Sequence, residues 1–173
     1  GEAGKPTDWI TMKIDPEIFE ELGVRDPEET KREMAITKKT RQVTKELKTD
    51  PDNVDLQIEL ATLMIDGANY EEAIKNLKVI RNKAPKSARV HKLLGTAYVL
   101  FNHEEEGMLE LNRACELDPT DAENFFNLGG LYLLRDMYQN AMEAFEKVIE
   151  LDPTDTTAYA NLAAAYDMLK LYD

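Results

Sequence analysis

Four prolines, Pro51, Pro85, Pro119 and Pro153, stand 34 residues apart along this chain, and a fixed period of that length restricts it to an array of stacked, repeated units. Counting each repeat from three residues past its proline gives units 54–87, 88–121 and 122–155, then half of another from Thr156. The other positions fall into the same register. Leu60, Leu94, Leu128 and Leu162 hold the seventh place, and Met64, Tyr98, Tyr132 and Tyr166 the eleventh. Leu77, Leu111 and Phe145 hold the 24th, and Ile80, Ala114 and Val148 the 27th. Small residues recur as well: Ala61, Gly95, Gly129 and Ala163 at the eighth place, Ala73, Gly107 and Ala141 at the 20th. Apolar residues three or four apart make one face of a helix, and small residues let two antiparallel helices approach closely. Each proline ends a second helix, because the residue before a proline avoids helical geometry. Asn69 with Glu72, and Asp136 with Gln139, read as capping pairs that start the second helices.

At these places the chain resembles the tetratricopeptide repeat (TPR) family, whose pattern is an aromatic, then Leu-Gly, Tyr, Ala, Phe and Pro. Phe125, Leu128, Gly129, Tyr132, Ala141, Phe145 and Pro153 follow it, and the resemblance spans roughly residues 54–173. It implies an all-α fold: a right-handed superhelical solenoid of antiparallel helix pairs whose first helices line a concave working face.

Residues 26–50 read as an N-terminal capping helix, with a degenerate half repeat as the alternative. Asp26, Pro27 and Glu29 form the start, and Met34, Ile36, Val43 and Leu47 are expected to cover the first repeat. Residues 1–25 read as an extension with a short helix, Glu17 to Leu22. Before it, Ile10, Met12 and Ile14 alternate as an extended strand does. With Trp9, Ile18 and Phe19 the segment is too apolar for a solvated tail, so it is expected to dock on its own superhelix, in its groove, or on a partner.

Charge limits the partners. The net charge is −13, distributed as −6 over residues 1–30, +5 over 31–92 and −12 over 93–173. Binding to nucleic acid or an anionic membrane needs a positive field, so the acidic total argues against both. A positive belt nevertheless runs from Lys75 to Lys92. No apolar run is long enough to span a membrane, and no charged start, apolar stretch and small-residue cleavage site occur together in the sequence, which leaves open a targeting segment of a longer parent. The chain is expected to be soluble, cytoplasmic ahead of secreted. It starts at Gly1 and ends at Asp173, eighteen residues into a repeat, so a longer parent is expected.

No catalytic or metal-binding spacing occurs. Cys115 is alone, His91 falls at an apolar packing place, and Glu104, Glu105 and Glu106 read as a solvated helix start. No cofactor is expected. The resemblance places the second, fifth, sixth, ninth, twelfth and thirteenth residues of each repeat on the concave face. From these the expected partner-binding residues are Ile58, Thr62, Arg89, Lys92, Thr96, Val99, Phe126, Asn127, Leu133 and Asn161, with Leu100 and Leu134 extending an apolar middle. The partner so described is a protein or peptide, an acidic segment carrying an apolar anchor. Family members that hold chaperone tails use a two-carboxylate clamp. Lys92 and Asn127 match it but Thr96, Thr157 and Asn161 depart from it, so tail recognition is not expected. The alternatives are a self-assembling scaffold, pairing through an open C-terminal helix that presents Leu162, Tyr166 and Leu169, or a docking domain of a larger protein.

Overall fold

The described residues of the computed structural model are Gly23 and residues 25–172. They form eight helices and no strand: α1 Pro27–Thr49, α2 Val54–Asp66, α3 Tyr70–Lys83, α4 Ala88–Leu100, α5 Glu104–Leu117, α6 Ala122–Leu134, α7 Tyr138–Leu151 and α8 Thr156–Tyr172. Each helix packs on the next, so the chain is an all-α solenoid of helical hairpins. The strand and short helix expected before residue 25 lie outside the described residues.

The 34-residue period reappears in the helix ends, though not where the capping pairs were expected. Side-chain caps start the first helices. Asn53 Oδ1 accepts from the Leu56 amide at 3.1 Å, Ser87 Oγ from Val90 at 3.3 Å, Asp121 Oδ1 from Glu123 at 3.0 Å and Asp155 Oδ1 from Ala158 at 2.9 Å. The second helices α3, α5 and α7 have no side-chain cap, so the Asn69–Glu72 and Asp136–Gln139 pairs do not form. Backbone geometry replaces them. Ala68, Asn102 and Asp136 adopt left-handed φ values of 59°, 62° and 56°. Next to them the amides of Asn69, His103 and Met137 each donate 2.8 Å bonds to the carbonyls of Met64, Tyr98 and Tyr132. This Schellman closure satisfies the end of one helix and turns the chain directly into the next.

Helix α1 begins on an Asp26 cap, whose Oδ1 accepts from the Glu28 amide at 2.8 Å, with Pro27 in its first turn. Its last turn resembles those of the second helices: the cap residues Asp50, Ala84, Asp118 and Asp152 have φ of −138°, −129°, −135° and −135°. Val43, the buried residue of α1, holds the place of Leu77, Leu111 and Phe145. Lys39 and Glu46 replace the buried Ala73 and Ile80. Met34 does not cover the first repeat as expected. It is 69% exposed, because it lies on the opposite side of the helix from Val43.

Packing joins the units through successive clusters. Ile58, Leu77, Ile80, Leu94 and Tyr98 tie α2, α3 and α4 together; Leu111, Cys115, Leu128 and Leu131 tie α5 to α6; Phe145, Val148, Ala158 and Ala165 tie α7 to α8. Gly95 and Gly107 face each other where α4 crosses α5: a Cβ on either would lie 3.1 Å from the other's carbonyl oxygen. One junction is polar. His91 Nδ1 lies 2.6 Å from Glu110 Oε2, its Nε2 donates to the Pro85 carbonyl at 2.9 Å, and Arg81 donates to the other Glu110 oxygen. The buried amide of Asn124 donates to the carbonyls of Ala114 and Asp118, both at 3.3 Å.

The C-terminal helix runs through Tyr172 and departs from expectation in what it exposes. Leu162 and Leu169 are half-buried rather than open to water, because both pack on the cluster around Phe145, whereas Tyr159 and Tyr166 are exposed.

Candidate partner-binding groove

The first helices place one repeat's worth of side chains after another along a common face, and the chemistry of that face changes along the solenoid. At its start, Thr62 and Arg89 line a polar cleft of about 590 Å³ with Lys39, Asp55, Glu59 and Asp66. Lys39 pairs with Glu59 at 3.0 Å. Arg89 is exposed and has no ion-pair partner among the described residues.

The middle of the face is apolar. Thr96, Val99 and Leu100 of α4 and Phe126, Asn127, Gly130 and Leu134 of α6 surround a cleft of about 200 Å³, with Leu111 and Leu131 in its lining. Phe126 is held from behind by Phe145, edge to face, at 5.7 Å between ring centroids and 74° between planes. Leu100 and Leu134 form the outer rim, 47% and 60% exposed. Gly130 opens the cleft. A Cβ built there meets nothing within 4 Å, whereas one on the adjacent Gly129 would lie 2.9 Å from Phe145 Cζ. Glycine inside a helix costs about 1 kcal/mol relative to alanine, so packing explains Gly129 and leaves Gly130 without a structural reason.

The sequence-derived residues therefore separate. Thr96, Val99, Phe126 and Asn127 converge on the apolar cleft, and Thr62 and Arg89 on the polar one. Ile58 does not reach the face: it is 4% exposed, enclosed by α3 and α4. Leu133 turns toward the cluster between α7 and α8, and Asn161 is half-buried on α8 and lines neither cleft. Lys92 is already engaged, by Asp121 Oδ2 at 3.2 Å and Glu123 Oε2 at 2.7 Å. Burial alone would lower its ammonium pKa; the hydrogen bonds it donates to Glu123 and Asp121, with their charges, outweigh that and raise it above the ordinary lysine value. Leu111 and Leu131 were not foreseen, since both sit at core places. The doubled glycine, Gly129-Gly130, was the available signal for the open floor.

The positive belt mostly leaves this face. Lys75 pairs with Glu71 and Glu72, Lys83 with Asp52, and Arg81 turns into the buried Glu110 junction. Among the described residues no group of three or more His, Cys, Asp or Glu side chains is placed to hold a metal ion, and no helix is long and apolar enough to cross a membrane.

Tetratricopeptide repeat models match residues 41–97, 122–155 and 144–173. The Hsp70-Hsp90 organizing protein of Triticum aestivum is 28% identical over 101 residues, 58% of this chain and 17% of that protein. The chain thus spans about a sixth of that relative's length. Among solved structures, a crystal structure of MamA superposes with a TM-score of 0.72 at 28% identity, covering 85% of this chain and 86% of that one. MamA residues 41 to the end from Desulfovibrio magneticus RS-1 give 0.64 at 25% identity, covering 82% and 78%. The first TPR of Spaghetti (RPAP3), bound to the HSP90 peptide SRMEEVD, gives 0.65 at 18% identity, covering 68% and 93%.

Proposed function

The chain belongs to the tetratricopeptide repeat family, and from that premise we propose that it is a non-catalytic interaction scaffold that holds a short segment of a protein partner in its concave groove. The single observation that carries this reading is Gly130, an open position in an apolar cleft that the fold has no need to keep open. An aliphatic side chain of the partner anchors there against Val99, Phe126 and Leu134, and the free amide of Asn127 meets the segment's main chain. Exposed apolar area of this kind, rimmed by polar groups, marks a binding site. Arg89 receives an acidic group flanking the anchor. Lys92 does not, because two carboxylates of its own chain already hold it. A chaperone-tail clamp is not proposed: Thr96 donates its hydroxyl to the Lys92 carbonyl at 2.9 Å, and Lys92 is occupied.

N-acetyl-leucine methylamide, titrated into the ¹⁵N-labelled protein, tests the anchor. Saturable shifts at the amides of Thr96, Gly130 and Leu134 are expected, lost in Gly130→Leu while its melting temperature is retained. Absence of shifts at millimolar probe, or equal shifts in the variant, refutes the reading. Exposed Tyr159 and Tyr166 on α8 favour a second reading, pairing of copies through that helix. A solution mass that stays monomeric across concentration removes it.

A further inference from the structure

The outward face of α1 carries a charge opposite to that of the whole protein. At 3.6 residues per turn, Lys31, Met34, Lys38, Arg41, Lys45 and Lys48 fall within an arc of about 100°, and all six are exposed. No acidic residue shares the arc. Lys38, Arg41, Lys45 and Lys48 have no ion-pair partner among the described residues. Like charges three and four residues apart oppose the helix that carries them, so the row is not explained by the stability of α1.

The row begins a gradient along the outer surface of the second helices. At the repeat places of Arg41, Lys45 and Lys48, helix α3 carries Lys75, which pairs with Glu71 and Glu72, then the uncharged Val79 and Asn82, with Lys78 beside them. The corresponding charges of α5, Arg113 and Glu116, pair with each other at 2.8 Å. Helix α7 presents Glu143, Glu146 and Glu150, with one lysine, Lys147, bridging to Glu150 at 3.0 Å. Positive charge is therefore sorted to the N-terminal end of the described solenoid, and negative charge to the end formed by α7 and α8.

We propose that α1 docks the protein reversibly on an anionic lipid surface, with Met34 at the headgroup level and the acidic end of the solenoid held away from the bilayer. The net charge of −13 does not prevent this. At physiological ionic strength the Debye length is about 8 Å, so a surface meeting α1 senses the cations facing it and little of the distant carboxylates. An extended bilayer fits the row because it offers diffuse negative charge along the whole helix face and an apolar boundary for Met34. Contact is superficial. The opposite face of α1 is committed to α2 through Val43, so the helix does not insert. This proposal is independent of the concave groove, which faces another direction and uses other residues.

Co-sedimentation of the full chain with vesicles of phosphatidylcholine containing about one-third phosphatidylserine tests it. Each Lys or Arg at such a surface raises partitioning about fivefold, so Lys38→Glu/Arg41→Glu/Lys45→Glu is expected to lose at least about a hundredfold. The neutral pair Lys38→Gln/Lys45→Gln is expected to lose about 25-fold, with an unchanged circular dichroism spectrum. Binding should also fall as salt is raised and be absent with phosphatidylcholine alone. The proposal is overturned if the full chain does not pellet with anionic vesicles at low salt, or if both variants pellet as the natural chain does. Capture by soluble heparin or polyglutamate without vesicle binding overturns it as well, and assigns the row to an acidic polymer.

Discussion

The two adjacent glycines of α6 allow the packing argument to be tested in one helix. Alanine at position 130 gains the helix propensity that glycine lacks, about 1 kcal/mol, and its Cβ meets nothing within 4 Å. Alanine at position 129 gains the same propensity but places its Cβ 2.9, 3.2 and 3.0 Å from Cζ, Cε2 and Cε1 of Phe145. That ring is fully buried and braced edge-on by Phe126, so it has nowhere to move. Overpacking of this kind costs about 1 to 3 kcal/mol, leaving Gly129→Ala between neutral and about 2 kcal/mol destabilised. The pair should therefore differ by about 1 to 3 kcal/mol. In a domain of this size each kcal/mol moves the melting temperature by about 2 to 4 °C, with Gly130→Ala above the natural chain and Gly129→Ala at or below it. Urea titration and thermal melts followed by circular dichroism at 222 nm measure both. If Gly129→Ala stabilises as much as Gly130→Ala, the close approach of α6 and α7 is wrong, and with it the claim that Gly130 alone is unexplained by packing.

Ala68 sits at φ 59° without a glycine's freedom, so Ala68→Gly should raise stability by about 1 kcal/mol in the same urea titration. Glu110→Ala leaves Nδ1 of buried His91 without a partner and strips Arg81 of its acceptor; a loss of about 3 kcal/mol is expected, with hydrogen exchange rising in α3, α4 and α5 together. Asp118 and Asp152 accept from the hydroxyl and amide of Thr120 and Thr154, which lowers both carboxyl pKa values. Their contribution to stability is therefore complete above the ordinary aspartate range and lost as pH falls through the lowered values. Thr120→Val and Thr154→Val should shift the carboxyl ¹³C titrations upward. Burial first, and then the charge of Asp121, push the Cys115 thiol up to about 11, so a disulfide reagent at pH 8 should modify it only at the rate of unfolding.

The packing contacts that repeat were legible in the residues, while the helix starts that repeat with them were not. The period of the prolines, the leucines at the seventh place and the small residues at the eighth and 20th follow from contacts within a hairpin and between neighbouring hairpins, which recur identically every 34 residues. Even the misread caps obey that period: Asn53, Ser87, Asp121 and Asp155 start the first helices, while the left-handed turns at Ala68, Asn102 and Asp136 remove the need for caps on the second. What the repeat register could not decide is which exposed-looking place is covered by a distant neighbour. Ile58 and Phe126 share one sequence pattern of concave places, yet α3 and α4 close over Ile58 while Phe126 stands at a cleft. Lys92 reads as a free cation until Asp121 and Glu123, about thirty residues on, are brought beside it. His91 reads as an apolar packing residue until Arg81 and Glu110 arrive from the helices on either side. Charge and burial at such places depend on which side chains of the adjacent repeat lie across the gap, and only the stacking of one hairpin on the next supplies them.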